Sequence, residues 1–145
     1  MNRLLLALAL VFVFATAARA ADSLYEITKV EPKVAVGGTG TASLTITVKG
    51  GGWHVNDEAP ISVALTPPPG LTVKKSKLTR ADLAASSRES ARFDIPVSAS
   101  EAGKKTIGAE AHFVLCQEQA CKPVKETVTL AIEVTPPAVA KKKKN

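Results

Sequence analysis

An all-β fold, an antiparallel β-sandwich, is what this sequence predicts, and three observations predict it. Aromatic residues make up only 4% of the chain, so a core has to be built from Val, Ile, Leu and Ala. Glycine and proline clusters punctuate the chain at intervals of roughly 8–12 residues, the spacing of short strands joined by turns. Between Thr41 and Lys49 the residues alternate, with Ala42, Leu44, Ile46 and Val48 on one face and Thr41, Ser43, Thr45 and Thr47 on the other. That period of two describes a strand with one buried and one wet face.

The chain opens with the layout of a secretory leader over Met1 to Ala20. Arg3 supplies the positive start, Leu4 to Ala15 is an uninterrupted apolar run, and Ala18-Arg19-Ala20 offers small residues to a peptidase. Cleavage there makes Ala21 the mature start. An uncleaved anchor is the alternative, but the run falls short of the roughly 20 apolar residues that span a bilayer. No cysteine follows the cleavage site, which excludes a lipid-anchored start. About 125 residues then remain, one domain's worth, with no repeat and no internal linker.

Leu24 to Val30 and Val34 to Val36 read as a first strand broken at Pro32, tolerable only at an edge or at a switch between sheets. Gly37-Gly38-Thr39-Gly40 turns the chain into the alternating strand. Gly50-Gly51-Gly52 ends that strand, and Trp53-His54-Val55-Asn56 starts the next. Ile61 to Thr66 is a further strand, stopped by Pro67-Pro68-Pro69-Gly70, after which Leu71 to Lys75 stays extended. Thr79-Arg80-Ala81-Asp82 has the form of a capping box opening one helical turn. Arg92 to Val97 alternates with Phe93, Ile95 and Val97 inward, and Trp53 and Phe93 are expected in the core.

Glu101-Ala102-Gly103 then leads into two apolar segments, Thr106 to Leu115 and Val124 to Val134, which form a hairpin. Its tip carries both cysteines, Cys116 and Cys121, separated by four residues and followed by Lys122 and Pro123. Export to an oxidising compartment favours a disulfide between them. A bridge over so short a loop lies at the low end of the roughly 2–4 kcal/mol usual for disulfides. Two readings stay open: an inert structural bond, or a reactive pair. Lys122 favours a thiolate at Cys121 and Glu118 opposes it, while Pro123 fixes the backbone just beyond.

The last segment, Pro136 to Asn145, has nothing to bury and is expected to be a disordered tail. The formal charge is +6, and +4 once Arg3 and Arg19 leave with the leader. Lys141 to Lys144 account for all of that, so the folded part is near neutral. A solvated tail is the plain reading, and docking on an anionic membrane surface is the other. Basic and aromatic residues are not interleaved in the body, which argues against nucleic acid.

Other chemistry finds little support. His54, His112, Cys116 and Cys121 could together ligate zinc or copper, but the histidines have no spacing signature and an oxidised pair offers no thiolate. No metal or cofactor is expected. No serine sits in a Gly-x-Ser-x-Gly elbow, so hydrolysis is set aside.

Three features in order carry a family resemblance: Gly52-Trp53-His54-Val55-Asn56, then Pro68-Pro69-Gly70-Leu71, then Cys116-x4-Cys121-x-Pro123. Together they resemble the periplasmic N-terminal domain of the thiol:disulfide interchange protein DsbD, in the family of DsbD-like domains, over about Val34 to Val134. The resemblance implies an immunoglobulin-like sandwich, monomeric, with a redox-active disulfide at its tip. It implies electrons taken from a membrane-embedded donor and passed to thioredoxin-like periplasmic proteins, with Cys121 attacking and Cys116 resolving. In that family an aromatic-bearing loop caps the disulfide. The corresponding stretch here, Lys74 to Ser87, has no aromatic residue, which leaves Leu78 or Leu83 as the cap. The chain also stops where the family's membrane conduit would begin. The second class of function is a binding or scaffold module that keeps the sandwich and its bond without turnover.

Overall fold

Alternation decides the layering. In the computed structural model, which describes residues 23–137, Ala42, Leu44, Ile46 and Val48 all face the interior of a two-sheet sandwich. The strands are β1 (Tyr25–Val30), β2 (Lys33–Ala35), β3 (Thr39–Val48), β4 (His54–Val55), β5 (Ser62–Thr66) and β6 (Leu71–Val73). They continue with β7 (Lys77–Thr79), β8 (Leu83–Ser86), β9 (Ser90–Ala99), β10 (Gly103–Gln117) and β11 (Ala120–Thr135). The first sheet runs β1-β3-β9, and the far edge of β9 is shared by β6 and β8. The second runs β2-β11-β10-β5-β7, with β4 on the end of β10 nearest the tip. Every pairing is antiparallel except β2 with β11. The fold is an all-β, immunoglobulin-like sandwich.

Pro32 separates β1 in one sheet from β2 in the other, so the proline stands where the chain changes layers. Among the described residues Phe93 and Phe113 are the largest fully enclosed side chains, one from each sheet, in one core with Leu44, Ile46, Ile95, Ile107, Leu115 and Leu130. Tyr25 closes the side of this core, its ring meeting that of Phe113 edge-on with centroids 5.1 Å apart. Burial, and then the carboxylate of Glu126, push the Tyr25 hydroxyl above its ordinary pKa.

Several details differ from the sequence reading. Eleven strands form among the described residues, more than the sequence pattern marks out. The extra ones are pieces such as β7, in which Leu78 alone turns inward, too short to display a period. Ser43, expected on the wet face, is buried because it lies on a strand flanked by β1 on one side and β9 on the other. Trp53 sits in the turn before β4 and is only half-buried, packed against the core edge rather than within it. The expected capping box at Thr79 does form, with the Thr79 amide donating to Asp82 Oδ2 at 3.0 Å, and it opens a single 3-10 turn over Arg80–Asp82. The leader over Met1 to Ala20 and the lysines of the tail lie outside the described residues.

Candidate functional site

The long ladder of β10 and β11 runs in unbroken register from Gly103↔Val134 to Gln117↔Ala120 and sets Cys116 directly opposite Cys121. The two are joined by a disulfide, with Cα atoms 4.1 Å apart. Only Glu118 and Gln119 make the turn beyond. Tight two-residue hairpin turns favour positive φ, which matches the twist of the strands. Among the described residues none other than glycine has positive φ, so this turn is of the less favoured kind and the covalent bond lies on the rung beside it.

The two sulfurs have unlike surroundings. On β10 the odd-numbered residues Ile107, Ala109, Ala111, Phe113 and Leu115 face the core, which puts Cys116 on the outer face. It is nevertheless buried, 4% exposed, because β4 lies alongside and pairs His54 with it. Cys121, at the start of β11, is exposed. Cys121 is therefore open to solvent where Cys116 is not.

Asn56, just past β4, covers the buried sulfur. Its Nδ2 donates to Cys116 Sγ at 3.1 Å. Its Oδ1 accepts the backbone amides of Glu58 and Ala59 at 2.8 and 2.9 Å, its own amide donates to the Val114 carbonyl at 2.9 Å, and its carbonyl accepts Arg80 Nη2 at 3.2 Å. The Arg80 guanidinium also binds the Ala59 carbonyl, so the segment from Asn56 to Ala59 is tied at both ends. Sequence reading passed over Asn56 as a site residue. A signal was present, since an Asn side chain readily accepts the backbone amide two residues on, but its reach to a cysteine sixty positions away was not legible.

His54 stands next to Cys116 with Nδ1 buried and unpartnered among the described residues. It borders an open groove of about 560 Å³ at the tip, shared with Gly51, Gly52, Arg88, Gln117 and Gln119. His112 is brought no closer: it lies further down the outer face of β10, its Nε2 donating to Glu110 Oε1 at 2.8 Å. That bond, with help from Lys125, holds the Glu110 carboxyl below its ordinary range. Among the described residues no group of three or more His, Cys, Asp or Glu is placed to hold a metal.

Lys122 and Pro123 are both exposed. Lys122 pairs with core-facing Leu115, so its side chain leaves the strand on the face opposite to Cys121 and does not stand over that sulfur. Pro123 is placed where a proline is harmless. On β11 the amide of Ala131 and the carbonyl of Thr129 point to the free edge, toward Glu31 and Lys29, and the same parity aims the nitrogen of Pro123 outward. Neither leucine offered as a cap covers the bond: Leu78 is buried in the core opposite Val63, and Leu83 pairs with Phe93 in the first sheet.

No family model matches the chain, and no curated protein matches its sequence. Solved structures of similar strand layout include domains 4 and 5 of the S-layer protein SbsC, at 16% identity over 77% of this chain with a TM-score of 0.40. The chain spans about half of that structure, 51% of its length. AggA, the major subunit of aggregative adherence fimbriae type I from Escherichia coli, is 14% identical over 77% of this chain and 94% of its own, with a TM-score of 0.41. The ASH/PapD-like domain of human CEP192 is 10% identical over 96% and 100%, with a TM-score of 0.38. Likeness at this level is one of strand layout and carries nothing about activity.

Proposed function

We propose that this chain is an extracytoplasmic β-sandwich module that binds or displays rather than catalyses, with the Cys116–Cys121 bond as the clasp of its hairpin tip. The observation that carries this reading is the turn. Glu118 and Gln119 lack the positive φ that tight hairpins favour, and the bond sits on the adjoining pair of strand residues. The disulfide and the leader pattern at the N-terminus support the compartment. Replacing both cysteines by alanine is expected to lower stability by about 2 kcal/mol or less, the loss for so short a loop, and to leave the sheet signal in circular dichroism intact. Loss of the fold would show a bond on which the whole sandwich depends, and would overturn the clasp reading.

A second reading is favoured by one specific feature, the open Cys121 beside the enclosed Cys116. It is thiol–disulfide exchange in the manner of the DsbD-like domains, with thioredoxin-like partners and a membrane electron donor. The reduction potential separates the two. Equilibration in a glutathione series followed by thiol trapping is expected to give a value below about −300 mV for a clasp, and one near or above roughly −250 mV for an exchanging pair. The first result removes the exchange reading, and the second removes the clasp.

A further inference from the structure

We infer that Asn56 is a positioning residue for opening the disulfide, its side-chain amide prepared to receive the negative charge that develops on Cys116. This rests on the exchange reading above. Among the described residues, the Asn56 amide makes the single side-chain hydrogen bond to either sulfur.

Its orientation is not a free choice. Two backbone amides, from Glu58 and Ala59, claim Oδ1, so the other end of the group facing Cys116 is the NH2 donor. The main chain of Asn56 is fixed as well, by Val114 on one side and Arg80 on the other. Such a donor is already in place before charge appears and need not reorganise to meet it.

A thiolate from a dithiol reductant, small or thioredoxin-like, attacks the exposed Cys121 sulfur. A bond forms between the incoming sulfur and Cys121, the Cys116–Cys121 bond breaks, and its electron pair leaves on Cys116 as a thiolate. That thiolate is buried, where an uncompensated charge is costly, and it accepts the hydrogen bond from Asn56. The reductant's second thiolate then attacks its own sulfur in the mixed disulfide. Cys121 departs and takes a proton from water, so two electrons have passed to the protein.

Asn56→Asp is the discriminating variant. One carboxylate oxygen keeps the two backbone amides of the turn, while the other faces Cys116 with an acceptor instead of a donor. Reduction by dithiothreitol is expected to slow about tenfold or more, the range carried by a hydrogen bond to a charged group. The potential should move to more negative values. Below roughly pH 4, where the aspartate gains a proton and becomes a donor, the ratio of variant to wild-type rate should rise. Asn56→Ser provides a second variant, since its hydroxyl can still cap the turn but is too short to reach the sulfur, and it should be slowed as well.

Thermal melts of both variants report whether the fold is kept. Rates within about twofold of wild type in folded Asn56→Asp and Asn56→Ser would overturn the inference, because a lost charge-assisted bond is larger than that. A wild-type potential below about −300 mV would instead overturn the exchange reading, whatever the variants do.

Discussion

Phe113→Ala is expected to remove about 3–5 kcal/mol of stability, the cost of emptying a large aromatic site in a core that cannot fully collapse. Phe113 is 2% exposed, lies on the longest ladder in the molecule, and has the edge of Tyr25 against its ring. Loss of that aromatic pair adds about 0.5–1.5 kcal/mol beyond the buried area. A domain of this size has about 5–15 kcal/mol in all, so the variant should stand near the edge of unfolding. With so few aromatics, Phe93 is the only other enclosed ring of this size among the described residues. Urea denaturation should show a fall in midpoint with an unchanged slope. Phe113→Leu, which refills most of the volume, should lose much less. A loss under about 2 kcal/mol for the alanine variant would mean that the two sheets close over the gap, contrary to the close packing of protein interiors.

The same ring has a bearing on the tip. Phe113 is three residues before Cys116 on one strand, and its neighbour Val114 supplies the carbonyl that accepts the backbone N–H of Asn56. Weakening the core there loosens the strand that presents the disulfide. For that reason a core variant on β10 should also hasten reduction of the bond, whereas Phe93→Ala, in the other sheet, should do so less.

How much of this was legible depends on the reach of each interaction. The alternation of β3 and the inward faces of β9 are local patterns, and they fix which side chains form the core. The hairpin and its disulfide follow from apolar segments flanking two cysteines. Strands β7 and β8 were not legible as strands, because three or four residues show no period and their pairing is decided by β5 and β9. Asn56 was missed for a similar reason, since its bond to Cys116 spans a separation of 60 residues and leaves no spacing in the chain. Lys122 illustrates the opposite failure. Adjacency in sequence suggested a charge beside Cys121, yet alternation along a strand, applied consistently, already placed the two side chains on opposite faces.

Gly70→Ala should be the most damaging of the single-methyl additions, and the reason can be divided in two. Pro68 to Leu71 form a turn, closed by the Leu71 amide on the Pro68 carbonyl at 3.2 Å, with Gly70 at φ +86° in the third position. Any residue with a Cβ is strained there, by about 1–2 kcal/mol. Gly70 also has no room. A Cβ would lie 2.8 Å from Glu101 Cβ and 2.7 Å from its Oε2, and the first of these belongs to the stiff part of the side chain. Gly52→Ala is the control, because φ there is +75° yet nothing lies within 4 Å of the added carbon. Gly52→Ala should therefore show the backbone share alone, and Gly70→Ala that share plus the displacement of Glu101, whose carboxylate pairs with Lys105 at 3.1 Å. Overpacking of this kind adds roughly 1–3 kcal/mol, so the two melting temperatures should part clearly. Equal losses would mean that the bend after β9 at Ser100, tied to Gly70 by a 2.9 Å backbone bond, shifts to make room.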